Sequence, residues 1–190
     1  FSCDDLEGLA AYVFRISEAT HKTDVALGGA GMVAAAVSAA LDGRSWEGIM
    51  DAAMDCYAMA ARYGAQTYSA SPKARLALAL ELARRHRADA EAFSLSVYEG
   101  IGTTTLMSEA VPAALAMAYY FKEPHACSLA CANLGGDTDT IGAMAVAVCG
   151  AKAGAAVMDP ALIAVLEQSN DVDFGRYADS LLAHRGRVYC

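Results

Sequence analysis

The stretch Ala126-Cys-Ser-Leu-Ala-Cys-Ala-Asn-Leu-Gly-Gly-Asp-Thr-Asp-Thr-Ile-Gly142 decides how this chain folds. Ala126–Leu134 is rich in alanine and cysteine, holds no β-branched residue and runs into Gly135-Gly136. That composition is a helix reaching its end, since such side chains favour helix and glycine commonly follows a helix terminus. A phosphotransferase nucleophile of the D-x-D-x-T kind also resembles Asp137-Thr-Asp-Thr-Ile141, but it follows a buried strand, and a helix precedes the run here. Counted as an EF-hand loop from Asp137, the run places Ile141 and Val148 where ligands are required, the latter in place of a bidentate glutamate. What remains is a turn between two helices carrying two carboxylates and a hydroxyl: Asp137, Asp139 and Thr140.

Hard divalent cations such as Mg²⁺ take several oxygen ligands, some of them charged. Glycines beside such ligands let the main chain come close. The three side chains are therefore candidate metal ligands. From spacing alone a structural reading stays open, in which Gly135-Gly136 ends one helix and Asp137 or Thr138 caps the next.

Outward from this turn the chain reads as helix after helix with short connections. Leu6, Leu9, Ala10, Val13 and Ile16 form a helical stripe, with Ser2 followed by Asp5 as a capping pair that Ser2 opens. Val25–Leu41 is rich in Ala and Gly, and such a smooth helix lets neighbours approach closely, which predicts a central, buried position. Ser45 opens a helix with Trp46, Ile49, Met50, Ala53, Met54 and Tyr57 on one face, stopping at Gly64. Ser71-Pro72 starts the next, with proline at the first helical position, and it runs to His86. Asp89–Glu99 follows, and Gly100-Ile-Gly-Thr-Thr-Thr105 then interrupts the pattern. A helix from about Ser108 to Phe121 has Pro112 near its first turn, where the missing N–H costs least. Ile141–Ala155, Pro160–Gln168 and Phe174–Arg185 complete the set. The predicted fold is all-α, one domain over residues 1–190.

The 190 residues are 56% hydrophobic and 19% charged, enough for one sizeable core. A net charge of −8 argues against a nucleic-acid partner, because binding phosphate backbones needs clustered cations. Arg84-Arg85-His86-Arg87 falls at a predicted helix end, where it complements the macrodipole. Cys3, Cys56, Cys127, Cys131, Cys149 and Cys190 show no C-x-x-C pattern and read as buried small residues of a reduced, cytoplasmic protein. No stretch reaches the ~18 uninterrupted apolar residues of a membrane span. Ala143–Met158 comes nearest and is broken by Lys152. The acidic opening Phe1-Ser-Cys-Asp-Asp is no signal peptide, and a start without methionine reads as a piece of a longer polypeptide.

Two further segments could serve the same site. Thr20-His21-Lys-Thr-Asp24 precedes Val25–Leu41, whose N-terminal N–H groups attract anions. His21 there is either a donor to a phosphate-bearing ligand or a loop histidine bonded to nearby backbone. The Gly100–Thr105 loop offers flexible backbone and three hydroxyls to sugar or phosphate oxygens, or else it is an ordinary connector.

In this order the pieces resemble the ADP-ribosylglycohydrolase family, which includes the dinitrogenase-reductase-activating enzymes and the ADP-ribosyl-arginine and ADP-ribosyl-serine hydrolases. The Leu134–Gly142 run, followed by an Ala/Gly-rich helix through Gly154, is similar to the family's C-terminal signature. Thr20-His21, the Gly/Thr loop and Val111-Pro112-Ala-Ala fall in the matching order, so the likeness spans essentially the whole chain. It implies an all-α fold around a pair of Mg²⁺ ions that bind ADP-ribose, with Asp137, Asp139 and Thr140 as metal ligands. It implies His21 as an ADP-ribose contact, and Gly100, Gly102 and Thr103 on the ribose and adenine side. The remaining ligands and an acidic residue would belong to Gly-Asp and Thr-Asp-Asp motifs of an N-terminal part not found in this sequence. The implied activity is Mg²⁺-dependent hydrolysis of the N- or O-glycosidic bond of ADP-ribosylated protein or a related ADP-ribosyl compound, with no membrane partner. A non-catalytic relative with an incomplete metal site and a same-fold hydrolase of other ribosides are the alternatives.

Overall fold

The computed structural model describes residues 2–184. Within them lie ten α-helices: α1 (Leu6–Ser17), α2 (Asp24–Leu41), α3 (Trp46–Ala61), α4 (Pro72–Arg85), α5 (Ala90–Ser96), α6 (Met107–Phe121), α7 (Pro124–Ala132), α8 (Thr138–Ala153), α9 (Pro160–Asn170) and α10 (Phe174–His184). A π-helical turn, Val97–Ile101, continues α5, and a short 3-10 turn, Ala155–Val157, follows α8. Among the described residues, extended pairing is limited to an isolated parallel bridge between Thr23 and Ala65. The fold is all-α, as predicted.

Helix α2 is the hub, packing against α1, α3, α6 and α8. Its small residues set the spacing: a Cβ added at Gly31 would stand 2.7 Å from the Ala60 Cβ, so α3 rests directly on the α2 backbone. By length and composition α2 would also pass for a membrane span, where the sequence pattern had pointed to Ala143–Met158. However, 67% of it is buried inside the protein, so its apolar surface is taken up by the core. The main core gathers Met32, Met50, Leu76, Phe93, Leu115, Met117 and Ile141, and a smaller cluster of Leu9, Val13, Ala35 and Cys56 joins α1 to α2 and α3. Phe93 is fully buried and stacked on Tyr120 at 4.1 Å between ring centroids. The Tyr120 hydroxyl donates to the His86 carbonyl at 2.7 Å, which satisfies the polar end of a mostly apolar contact.

Helix starts follow their side-chain caps. Asp5, Thr23, Ser45, Ser71, Asp89, Glu123 and Asp159 each accept a hydrogen bond from a first-turn N–H. Four details depart from the sequence expectation. Asp5 rather than Ser2 caps α1, while the Ser2 hydroxyl donates to Asp42 at 3.2 Å. Gly100 and Ile101 lie inside the π-turn, so the following loop begins at Gly102. Helix α8 begins at Thr138 instead of Ile141, which puts Asp139 and Thr140 in its first turn.

Pro112 lies outside the first turn, as the sixth residue of α6. Its missing N–H leaves the Ser108 carbonyl without a helical donor, and Arg75 Nη1 supplies one at 3.0 Å. Helices α9 and α10 bury none of their described residues. The predicted helix end Arg185 and Cys190 lie outside the described residues; Cys3, Cys56, Cys127, Cys131 and Cys149 are free and buried.

Close α2–α3 packing makes a specific demand. Gly31→Val should lower stability to urea by about 1–3 kcal/mol through overpacking. Gly48→Ala, whose Cβ would meet Ser45 and Arg44 at an ordinary 3.4 and 3.5 Å, should raise it by about 0.5–1 kcal/mol. A stabilising Gly31→Val would contradict the packing account.

Candidate active site

The aspartate turn is built by its backbone. Helix α7 ends at Ala132, and Gly135 and Gly136 then take φ values of 87° and 76°, a region that side chains disfavour. Leu134 and Ile141 are buried and pin the two ends of the turn into the core. Gly136 lies so close to the Thr103 main chain that no Cβ fits. The Asp137 N–H consequently donates to the Thr103 carbonyl at 2.7 Å. Loop Gly102–Leu106 and turn Gly135–Asp137 are thus clasped together, with the half-exposed Tyr98 ring against Gly135.

Asp137 holds the N-cap position of α8, yet its side chain makes no capping hydrogen bond. Its Oδ1 accepts from the Thr140 hydroxyl at 3.0 Å instead. Asp139 is exposed in the first turn. The Thr140 N–H, then the Asp137 side chain and its own N–H, hold its carboxyl below the usual carboxylate range. Both acids stand at the positive end of the α8 macrodipole.

The turn therefore presents charged and hydroxyl oxygens, the donor chemistry that Mg²⁺ prefers. The number of donors is short. Two carboxylates and one hydroxyl, each binding once, fill at most half of an octahedral shell. Among the described residues, no group of three or more His, Cys, Asp or Glu is arranged to hold a metal ion.

The other predicted residues divide. Thr103 is buried and reaches the turn through its carbonyl, and Gly102 precedes it in the same clasped loop. Gly100 is exposed in the π-turn, where an added Cβ would meet open space. His21 is exposed and bonds locally, its N–H to the Ser17 carbonyl at 2.8 Å and its Nδ1 to the Thr20 hydroxyl at 3.0 Å. The structure joins Thr103 to Asp137 and gives His21 and Gly100 no described contact with that turn. Cavities of about 670 Å³, beside Glu167, Arg176 and Tyr177, and about 470 Å³, beside Arg84, Tyr119 and Lys122, do not include it either.

A profile of the ADP-ribosylglycohydrolase family matches residues 1–189. The chain belongs to that family. The uncharacterized protein YegU of Escherichia coli (strain K12) is 43% identical over 183 residues, which is 95% of this chain and 54% of the relative. The chain thus spans about half the length of the curated relative it matches. No solved structure matches it.

Two residues that the sequence reading passed over shape this turn from behind. Glu109 Oε2 accepts from the Thr104 hydroxyl at 2.7 Å and the Thr104 N–H at 3.2 Å. Its Oε1 lies 3.4 Å from Arg75 Nη1. A signal was present: a proline inside a helix leaves a carbonyl needing a donor. Nothing local in the sequence names Arg75 as that donor.

The Thr104 hydroxyl first, then the Thr104 N–H and Arg75, outweigh burial and hold the Glu109 carboxyl below the usual glutamate range. A group with a depressed folded pKa stabilises fully above its unfolded value, about 4.3, and loses that contribution as pH falls through the folded value. Against Glu109→Gln, the wild type's stability advantage should be full near pH ~6 and shrink progressively below about pH 4. Urea titrations across this range check it, and an advantage that does not narrow would count against these contacts.

Proposed function

We propose that this chain supplies the acidic turn and adjoining loop of a Mg²⁺-dependent hydrolase that cleaves the N- or O-glycosidic bond of ADP-ribosylated protein or a related ADP-ribosyl compound. The observation that carries this reading is the side chain of Asp137, which occupies an N-cap position without capping. Asp5, Asp89 and Asp159 at their own helix starts do accept from first-turn N–H groups. A carboxylate kept off the helix backbone is available to a cation.

In this reading Asp137, Asp139 and Thr140 would hold Mg²⁺, with water and groups beyond them completing its shell. When bound, the ion would orient the ribose hydroxyls and offset charge building at the anomeric carbon. The chain's own residues position and bind. The Thr103 carbonyl fixes the Asp137 main chain, and the exposed Tyr98 ring borders the turn. His21 would donate to a substrate phosphate, and Gly100, Gly102 and Thr103 would line the ribose side. Asp137 and Asp139 serve as ligands and not as the acid–base pair, because carboxylates bound to a cation stay ionised. The expected compartment is the cytoplasm.

One observation favours a second reading, a relative that keeps the fold without turnover. The acidic turn has no further carboxylate gathered with it into a metal-holding group among the described residues.

In the full-length protein, Asp137→Asn or Asp139→Asn should abolish Mg²⁺-dependent release of ADP-ribose from ADP-ribosylated protein, with little change in melting temperature. Wild-type turnover in either variant would overturn the ligand assignment. Mg²⁺ with ADP-ribose should raise the wild-type melting midpoint, since ligands that bind the native state stabilise it, and EDTA should reverse the rise. Absence of both shift and turnover would favour the second reading.

A further inference from the structure

We propose that Glu109 is a positioning residue for the aspartate turn, acting through the Gly102–Leu106 loop and the Thr103–Asp137 hydrogen bond. This rests on the reading of that turn as the functional site and extends it to a residue with no described contact to Asp137.

The chain of contacts begins at a defect. Pro112 leaves the Ser108 carbonyl without its helical donor, and Arg75, reaching over from α4, answers it at 3.0 Å. The same Nη1 lies 3.5 Å from the Ser108 hydroxyl and 3.4 Å from Glu109 Oε1. The Arg75 and Glu109 side chains are only 32% and 17% exposed. The pair is therefore less screened than one on the surface, and removing one partner leaves the other partly buried without its counter-charge.

Glu109 then spans to the loop. Its Oε2 takes both the hydroxyl and the N–H of Thr104, and the Thr104 hydroxyl accepts in turn from the Leu106 N–H at 3.3 Å. On the near side, a Cβ added at Gly102 would fall on the Glu109 carboxylate. The carboxylate thus holds the residues on both sides of Thr103, one by packing and one by hydrogen bonds. Between them the Thr103 side chain is buried and its carbonyl meets Asp137 N–H at 2.7 Å.

Removing the carboxylate takes away both Thr104 bonds. Between Gly102, whose N–H bonds to the Val97 carbonyl at 3.1 Å, and Leu106, whose carbonyl accepts from the first turn of α6, the loop is then held at Thr103 alone. The Asp137 N–H, which lies ahead of the helical ladder, has no helical acceptor to replace Thr103. Glutamine at position 109 keeps an acceptor oxygen for Thr104 while losing the charge that faces Arg75. A positioning role therefore predicts rescue by the conservative variant, whereas a role limited to balancing Arg75 predicts none.

Amide hydrogen exchange in the full-length protein tests the coupling, alongside ADP-ribose binding in the presence of Mg²⁺. Glu109→Ala should accelerate exchange at Asp137 and across residues 102–106 by about tenfold or more, while amides in the middle of α2 and α6 change by less than about twofold. Glu109→Gln should restore most of that protection. In the same proteins the Kd for ADP-ribose should rise about tenfold in the alanine variant and less than about threefold in the glutamine variant. Thr104→Val removes the hydroxyl bond, the shorter of the two on the loop side, and leaves the Thr104 N–H bond and Arg75–Glu109 intact; it should accelerate Asp137 exchange even if Glu109→Ala fails to fold.

Unchanged Asp137 exchange in a folded Glu109→Ala or in Thr104→Val would overturn the proposal, as would a glutamine variant as defective as alanine. Wild-type protein that binds no ADP-ribose with Mg²⁺ would sink the functional reading, and the exchange data would still decide the coupling on their own.

Discussion

A single main-chain hydrogen bond, from the Asp137 N–H to the Thr103 carbonyl, determines where the two acids of the turn stand. The N–H at a helix N-cap has no partner inside its own helix, and leaving such a donor buried and unpaired costs about 1–3 kcal/mol. Thr103 removes that cost, but only because Gly136 has no side chain to keep the two strands of chain apart. Leu134 and Ile141 then fix the direction in which the turn leaves and re-enters the core. The carboxylate geometry is therefore set by backbone and apolar anchors, and the acids themselves carry little of the structural load. That is the arrangement expected of side chains kept for a ligand.

The scaffold beneath is stiff because its residues are small. From Ala110 to Ala118 every side chain of α6 is buried, which leaves α6 little freedom to shift under the loop that precedes it. Helix α8 is fastened to α2, α6 and α7, and α2 is fastened in turn to α3 through contacts too close for anything larger than glycine at Gly31. Rigid elements of this kind hold site residues more closely than loops do. The loop between Gly102 and Leu106 is the exception: its anchors are the buried Thr103, bonded to Asp137, and Thr104, bonded to Glu109.

The helical nature of the chain was legible because its signals are local. Ser45, Ser71-Pro72 and Asp89 mark their helix starts by bonds that span three residues. What escaped depends on distant partners. Thr138-Asp-Thr140 has weak helix propensity and reads as loop, yet α8 begins there, with Asp137 held from outside by Thr103. Pro112 looked like a first-turn residue, since the arginine that makes an interior proline tolerable lies on α4. At the candidate site, the placing of Asp137, Asp139 and Thr140 on one turn was readable from spacing, whereas the bond that joins Thr103 to that turn depends on residues far apart in the sequence. Glu109 was invisible for the same reason as Arg75: each acquires its role from the other.

The sign of the charge bears on the chemistry. The chain carries −8 overall, and the turn adds two carboxylates at one surface point, where a substrate bearing two phosphates would be repelled. Each like-charge pair at ~5 Å is unfavourable by roughly 1 kcal/mol even in water and by several times that in a less polar setting. The α8 N-terminus offers only about half a positive charge in compensation. Under the proposed function, an acidic turn makes sense as a binding feature for ADP-ribose only with cations between the two sets of oxygens, so metal and substrate should each strengthen the binding of the other. Without a cation the same residues would oppose that substrate, so the proposed function stands or falls with the metal.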